Sequence, residues 1–264
     1  MSKNLQIKPG DLFALGSHRI LCADATFAEA VKKLIGKDKV NLILTDVPYG
    51  VDFAASKKDF IKTREIHKDI VGDHLQSDKE FSTFTRKWLA AIKPHLAKHN
   101  AYYVFNGDKM IFAMREGFIA EGFKLSQLLV WIKTGAVIGR LDYLPQHELI
   151  AYGWYGRHTF HKSVDRSVII CPKTQKNIWH PTSKPLPILR RLILNSTKVG
   201  DVVYDCFLGG GSTLIACEDT KRCCFGVEVD PEYIRATIQR FEQKTGLQAK
   251  LVSNSLQSCP VNPA

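Results

Sequence analysis

The sequence predicts one doubly wound α/β domain built around a seven-stranded, mostly parallel sheet. Short apolar runs typical of buried strands recur along the chain, and helical segments separate most of them. Three of these runs lead directly into an acidic residue, at Asp46, Asp205 and Glu228. Because a doubly wound sheet binds ligands at the carboxyl ends of its strands, these acids are expected near one crevice.

The predicted elements alternate in the first half of the chain and include a hairpin in the second half. The strands are Arg19–Cys22, Val40–Leu44, Ala101–Phe105, Leu125–Ile132, Glu148–Tyr152, the run from Val202 to Asp205, and Cys223–Glu228. The helices are Phe27–Ile35, Lys79–Leu96, Lys109–Glu121, Leu186–Ser196 and one that begins near Ser212. No helix separates the fourth strand from the fifth, so these two are expected to form an antiparallel hairpin. The stretch from Ser253 to Ala264 is expected to be a loose tail.

Composition limits the class of protein. A chain of 264 residues with 45% hydrophobic residues can bury one large core, so residues 1–264 are treated as a single domain. No segment is apolar and long enough to cross a bilayer, and the first residues do not resemble a signal peptide. Seven cysteines, an odd number, indicate reduced thiols in a cytoplasmic protein. The adjacent pair Cys223 and Cys224 is poorly spaced for metal binding, so no metal site is predicted.

The first motif follows the strand Val40–Leu44 and reads Asp46-Val47-Pro48-Tyr49. The Asp46 carboxylate and the Val47 carbonyl offer hydrogen-bond acceptors, and Tyr49 offers a flat aromatic face. This set suits a planar ring with an exocyclic amine, such as adenine or cytosine flipped out of a nucleic-acid stack. An ordinary turn, with Pro48 setting φ and Asp46 bonding local amides, explains the motif equally well when it is taken alone.

The second motif carries a strand through Asp205 into a turn that contains Gly209, Gly210 and Gly211, and then into a helix. Glycines let backbone amides approach a ligand closely. The next strand ends at Glu228, where a carboxylate can bind ribose hydroxyls. An adenosine-containing cofactor is therefore expected. Leu214 stands where a dinucleotide fingerprint has its third glycine, which disfavours a dinucleotide.

Three segments together resemble the permuted β class of amino-methylating DNA methyltransferases. Asp46–Tyr49 is similar to the family's Asp-Pro-Pro-Tyr motif, and Asp205–Gly211 to its Asp-Pro-Phe-x-Gly-x-Gly signature. The segment His180–Pro185 is similar to the family's His-Pro-Thr-x-Lys-Pro element. The motif with Asp46 comes first and the glycine motif last, as in that class. Val47 and Cys206 replace prolines of the family motifs.

The resemblance implies a Rossmann-like methyltransferase sheet that uses S-adenosylmethionine to methylate an amino group of a DNA base. Asp46, Val47, Pro48 and Tyr49 are the implied catalytic residues, and an aspartate at the first motif position favours adenine N6 over cytosine N4. The implied cofactor-binding residues are Asp24, Ala25, Thr182, Ser183, Lys184, Asp205, Phe207, Gly209, Gly211, Ser212, Glu228 and Val229.

Several alternatives remain open at this stage. Lys184 taken alone fits a solvated surface charge, and Asp24 fits a helix N-cap before Phe27. The Val47 and Cys206 departures leave room for a catalytically silent nucleic-acid-binding homologue. An RNA substrate is a further alternative.

A net charge of +11 and a pI near 9.3 indicate a polyanionic partner, which we expect to be double-stranded DNA. A basic loop at 54–72, expected to be mobile without DNA, carries Lys57, Lys58, Lys62, Arg64 and Lys68. A candidate target-recognition segment at 153–178 carries Arg157, His161 and Arg166. Both are expected to flank the base pocket and to bind nucleic acid. A second copy of the chain and a cognate restriction endonuclease are further partners that the resemblance leaves open.

Overall fold

A computed structural model of the protein describes residues 6–48, 77–136, 142–162, 164–173 and 183–253. These residues form a single large sheet flanked by helices on both faces. The strands are β1 Leu12–Leu15, β2 His18–Cys22, β3 Val40–Asp46, β4 Leu96–Asn106, β5 Lys124–Ile132, β6 His147–Trp154, β7 Arg157–His158, β8 Val168–Ile170, β9 Val202–Asp205, β10 Cys223–Glu228 and β11 Lys250–Ser253. The doubly wound α/β fold is thereby confirmed.

The sheet runs in the order β11-β1-β2-β10-β9-β3-β4-β6-β5-β8, and β7 pairs with the start of β4 outside this path. Strands β2, β10, β9, β3 and β4 are parallel, while β6 is antiparallel to both β4 and β5. The expected hairpin is therefore present. The seven predicted strands form the centre of the sheet, and the additional strands extend its two edges or, in the case of β7, pair with β4.

Six α-helices of the described residues cover the two faces of the sheet. They are α1 Ala28–Ile35, α2 Asp78–Ile92, α3 Ile111–Ala120, α4 Leu186–Ser196, α5 Ser212–Thr220 and α6 Pro231–Thr245. The first three pack into one core layer and the last three into the other. The bounds of α1, α3 and α4 differ from the predicted ones by a few residues at most, and α5 begins at Ser212 as predicted. Helix α2 ends at Ile92, before the strand that begins at Leu96, and α6 was not predicted.

The alternation of side chains along β3 explains how one strand serves both cores. Ile43 packs into the layer that contains α1 to α3, whereas Leu42 and Leu44 pack into the layer that contains α4 to α6. Successive side chains of a strand point to opposite faces, so a strand covered on both sides must be apolar without interruption. This is why the run Val40–Leu44 has no polar residue except Asn41, whose side chain accepts a hydrogen bond from the amide of Val202.

No helix within the described ranges is long and apolar enough to span a bilayer. The six cysteines in those ranges are all free thiols, and five of them are buried. The buried thiols pack in the cores, where a reduced cysteine behaves as a small apolar side chain.

Candidate active site at the carboxyl ends of the strands

The predicted acids do meet at one edge of the sheet. Glu228 is level with Cys22 in the ladder between β10 and β2, and Gly226 is level with Asp205 in the ladder between β10 and β9. Asp46 ends β3, the strand on the other side of β9. The chain turns one way from β3 to β4 and the other way from β9 to β10. The carboxyl ends of β9 and β3 are therefore a topological switch point, where doubly wound sheets have a ligand-binding crevice.

Asp205 is tied to β3 by a buried hydrogen bond. The Thr45 hydroxyl donates to Asp205 Oδ1 at 2.7 Å, and the amide of Phe207 donates to the same oxygen at 3.1 Å. Burial raises the pKa of Asp205 to about 6 despite these donors. The Cys206 thiol is buried and donates to Thr45 Oγ1 at 3.4 Å, so it occupies the proline position of the family motif as a core residue.

The glycine turn is held from behind by helix α6. The Thr237 hydroxyl donates to the Gly209 carbonyl at 3.0 Å, and Arg240 Nη1 donates to the Gly210 carbonyl at 2.8 Å. Gly211 has φ +73°, and a Cβ there would lie 2.7 Å from Thr237 Cγ2. The turn therefore requires glycine at 211 for conformation and for space. Thr237 and Arg240 were not singled out from the sequence because they lie inside an ordinary amphipathic helix.

Glu228 accepts hydrogen bonds from two backbone amides at the mouth of the crevice. Gly209 N–H donates to Oε2 at 2.8 Å and Asp230 N–H donates to Oε1 at 2.9 Å. Burial raises the pKa of Glu228 to about 7. The neighbouring residues complete this corner: Ser212 begins α5 and is buried, and the Val229 carbonyl lies 3.8 Å from the Cys22 thiol.

A cavity of about 440 Å³ opens beside the end of β2. Its lining residues come from the loop after β2 and from helix α2, and they are Asp24, Thr26, Lys79, Glu80, Thr83, Phe84 and Lys87. Asp24 Oδ1 accepts the Thr26 amide at 2.8 Å, whereas the first helix begins after Phe27 without a side-chain cap. Asp24 is thus a turn residue, and its alternative assignment as the helix N-cap is wrong. Ala25, in the same loop, is buried.

Phe207 packs against helix α2, which also lines this cavity. Its ring centroid lies 5.5 Å from that of Phe84 and 6.4 Å from that of Trp88. Phe207, the second residue after Asp205 in the glycine motif, is therefore held against α2 by aromatic contacts.

The motif residue Asp46 belongs to a buried chain of four alternating charges. Lys184 Nζ lies 2.6 Å from Asp46 Oδ2 and 3.2 Å from Glu148 Oε2. Lys133 Nζ lies 2.8 Å from the other Glu148 oxygen, Oε1. The exposed fractions of the four side chains are 27% for Asp46, 8% for Lys184, 15% for Glu148 and 6% for Lys133.

The two lysines dominate the electrostatics of this chain. Burial raises the pKa of Glu148, but Lys184 and Lys133 outweigh burial and hold it at about 2. Burial lowers the pKa of Lys184, but the carboxylates of Asp46 and Glu148 outweigh burial and raise it above its ordinary value. Glu148 and Lys184 are therefore both charged at neutral pH. Lys184 is not a solvated surface charge.

Glu148 and Lys133 were missed at the level of sequence. A single glutamate at the start of a strand and a single lysine after another carry no motif. Only the antiparallel ladder, in which Glu148 lies opposite Trp131, brings them to the same edge as Asp46.

Other predicted residues divide between the core and the undescribed segments. Val47 is 3% exposed and packs in the core, and Pro48 is half-buried. Ser183 is half-buried directly before Lys184. Outside the described residues lie Tyr49, Thr182, the loop at 54–72 and its Lys57, Lys58, Lys62, Arg64 and Lys68.

The second basic segment lies differently from its expected place. Arg157 is level with His99 near the start of β4, about 20 Å along that strand from the edge that carries Asp46. His161 N–H donates to the carbonyl of Asn195, near the end of α4. The expectation that Arg157 and His161 flank the base pocket is therefore wrong. Because β6 is antiparallel to β4, it begins at the edge that carries Asp46 and ends at the opposite edge, where Arg157 follows it.

Arg166 lies between these two edges. It is exposed, and the carbonyl of the next residue, Ser167, accepts a hydrogen bond from the amide of Val130, near the carboxyl end of β5. Its neighbour Asp165 is anchored to α4 by two hydrogen bonds from Arg191 and one from Asn195. The segment then continues as β8, which runs parallel to β5 toward the edge that carries Asp46.

Comparison with known proteins agrees with this geometry. A family model described as DNA methylase, N6_N4_Mtase, matches residues 40–239. Type II methyltransferase M.HpaI of Haemophilus parainfluenzae is 25% identical over 270 residues, covering 92% of this chain and 79% of its own. Type II methyltransferase M2.DpnII of Streptococcus pneumoniae is 26% identical over 190 residues, covering 64% and 70%.

Solved structures share the fold. The M1.HpyAVI–SAM complex matches with a TM-score of 0.60 at 22% identity, covering 84% of this chain and 98% of that one. The cytosine-N4-specific PvuII DNA methyltransferase matches with a TM-score of 0.66 at 15% identity, covering 84% and 85%. The family model spans most of the chain and includes the crevice acids Asp46, Asp205 and Glu228. The chain belongs to the N6/N4 DNA methylase family, whose members transfer a methyl group from S-adenosylmethionine to an amino group of DNA.

Proposed function

We propose that this methyltransferase modifies the N6 amino group of adenine in double-stranded DNA, and that Asp46 receives that amino group. The observation that carries the proposal is the position of Asp46, at the switch point of the sheet and one strand away from Asp205. An aspartate rather than a serine at this motif position favours adenine over cytosine. The same crevice can accommodate cytosine N4, which is the second candidate.

The chemistry asked of the protein is modest. The lone pair of an exocyclic amine is delocalised into the ring, so the amine is a weak nucleophile. N–H donation to the Asp46 carboxylate and to the Val47 carbonyl favours a pyramidal nitrogen with its lone pair outside the ring plane. The rate enhancement then comes from positioning, and no covalent enzyme intermediate is required. The buried thiols Cys206 and Cys224 have pKa values raised by burial, which suits them to the core and not to nucleophilic attack.

Residues of the glycine motif and its neighbours are proposed to hold S-adenosylmethionine, which supplies an electrophilic methyl group on sulfur when it is bound. Glu228 has acceptor capacity left after its two backbone amides, which fits ribose hydroxyls. Asp205 is buried beside the turn, and a carboxylate there fits an ammonium group. The cavity beside Asp24 fits a planar base. Lys184 is proposed to orient the Asp46 carboxylate, which it contacts at 2.6 Å.

The direct test is nucleoside mass spectrometry of DNA from a host that expresses the protein and of DNA methylated by the purified enzyme. We expect N6-methyladenine, absent when Asp46 is replaced by alanine. If N4-methylcytosine appears instead, the adenine assignment is wrong while the methylase activity stands. If neither base appears on any DNA, the chain is a silent homologue.

Cofactor binding is expected to release protons below neutral pH. The pKa of Glu228 is about 7 and that of Asp205 about 6 in the unliganded protein, because both carboxylates are buried. Hydroxyl and ammonium donors stabilise the ionised forms and lower both pKa values, so the bound state holds fewer protons. The affinity for S-adenosylmethionine should therefore rise between roughly pH 5 and pH 7 and level off above that range.

Calorimetry in buffers with different ionisation enthalpies measures this proton release. Glu228→Gln should weaken binding by roughly 1–3 kcal/mol at pH 8 and flatten the pH dependence that Glu228 contributes. The exposed variant Glu29→Gln is the control and should bind as the wild type does. Proton uptake on binding, or an affinity independent of pH in this range, would exclude Glu228 and Asp205 from the cofactor site.

A further inference from the structure

The four-membered charge chain has a structure that packing alone does not explain. Two lysines and two carboxylates alternate over three contacts of 2.6 to 3.2 Å, and three of the four side chains are no more than 15% exposed. Burying charges is costly unless each is paired. An arrangement of apolar side chains would fill the same space more cheaply, which points to a use for the charges at Asp46.

The geometry points to Glu148 as a positioning residue that acts on Asp46 through Lys184, with Lys133 as its anchor. This inference rests on the proposed role of Asp46. Glu148 spans the two lysines with separate oxygens, so it cannot turn without losing one of them. Lys184 in turn binds Asp46 Oδ2 and thereby sets the direction of that carboxylate.

The anchor end of the chain is rigid. Lys133 N–H donates to the Gln146 carbonyl at 2.8 Å, and the Gln146 side chain donates back to the Lys133 carbonyl at 3.0 Å. This pair extends the ladder between β5 and β6 by one step beyond Ile132 and His147. The register of the hairpin therefore fixes the positions of Lys133 and Glu148 relative to each other. Side chains held by paired strands are positioned more precisely than side chains on a loop.

Residues from three neighbouring strands, and one residue directly after a fourth, surround the ammonium of Lys184. Asp46 approaches from β3, Glu148 from β6 and Lys133 from the end of β5, and the Phe105 ring of β4 has its centroid 5.3 Å from Nζ. Without the charge of Glu148, the ammonium loses one carboxylate at 3.2 Å and keeps its contact with Asp46 at 2.6 Å. It then neutralises the carboxylate that must accept the target amino group, and its own charged form is less stabilised.

The test compares Glu148→Gln with a matched control, Glu121→Gln. Glu121 is also 15% exposed and also lies between two cations, Arg86 at 3.2 Å and Lys93 at 3.8 Å, but it follows α3 far from the crevice. We expect Glu148→Gln to lower kcat by roughly 10–100-fold with KM values within a few fold. Glu121→Gln should leave kcat unchanged. Glu148→Asp, which keeps the charge, should recover part of the loss.

The pH dependence separates positioning from a general structural defect. In Glu148→Gln the alkaline decline of kcat should begin at lower pH than in the wild type, because Lys184 has lost the negative charge of Glu148, which stabilises its ammonium form. A second measurement needs no turnover: ¹³C NMR of labelled lysines in the unliganded protein, with Lys184 assigned through Lys184→Met. Lys184 should titrate about one pH unit lower in Glu148→Gln.

The outcomes discriminate clearly. Unchanged kcat in Glu148→Gln, an equal loss in Glu121→Gln, or an unchanged Lys184 titration would overturn the inference. If the wild type transfers no methyl group, the proposed function fails, yet the titration still decides whether Glu148 controls Lys184.

Discussion

Replacing Asp46 with alanine is expected to lower kcat by at least roughly 100-fold, the largest catalytic effect of any single change in the chain. The side chain ends β3 at the switch point, and its carboxylate is the acceptor proposed to orient the target amine. Asp46 is separated from the glycine turn by Asp205 and Thr45, so the affinity for S-adenosylmethionine should stay within a few fold. Tritium transfer to DNA and calorimetric cofactor binding measure the two quantities.

Two variants control this experiment. Asp46→Asn keeps the shape and one acceptor but removes the charge that Lys184 binds at 2.6 Å, so it should fall between alanine and the wild type. Asp38→Ala removes an exposed carboxylate paired with Arg19 just before β3 and should have no effect on transfer. Turnover by Asp46→Ala at the wild-type rate would remove Asp46 from the catalytic assignment.

Replacing Gly153 with alanine is expected to cost about 3 kcal/mol of folding stability. Gly153 lies in β6 between β4 and β5, and a Cβ there would lie 1.8 Å from the Lys124 carbonyl oxygen and 2.6 Å from Tyr102 Oη. The Tyr102 hydroxyl donates to that same carbonyl at 3.0 Å, so the space of the missing side chain holds a hydrogen bond. The added methyl must displace backbone, which cannot move without disturbing the ladder.

Thermal unfolding measures the effect, with a loss of roughly 6–12 °C in Tm for a domain of this size. Gly135→Ala is the matched control, because a Cβ at Gly135 meets nothing within 4 Å. It should change stability by no more than roughly 0.5 kcal/mol. An equal Tm for the two variants would show that β6 can shift away from Lys124.

Local pattern was sufficient for the central sheet. The strand predicted at Val40–Leu44, which the structure extends to Asp46, could be identified because a strand covered on both faces is continuously apolar. The glycine turn before Ser212 was recognisable because its conformation excludes side chains at Gly211. Strands β7 and β8 escaped detection because they have only two and three residues, which is too short for a period to be seen.

The family and the crevice were also determined by the sequence. Acids at the ends of parallel strands necessarily share an edge, so Asp46, Asp205 and Glu228 could be grouped before any coordinates. The motifs indicated an amino-methylating DNA methyltransferase, and the family model that matches residues 40–239 agrees.

Only the tertiary structure decided how charge is distributed around Asp46 and where the second basic segment lies. Glu148 and Lys133 are 15 residues apart, and Glu148 reaches Lys184 only because the hairpin pairs with β4, the strand next to β3. Arg157 follows an antiparallel strand, which carries the chain away from the crevice to the opposite edge. Strand direction and pairing partners are long-range properties, and a sequence window that contains one strand holds no information about them.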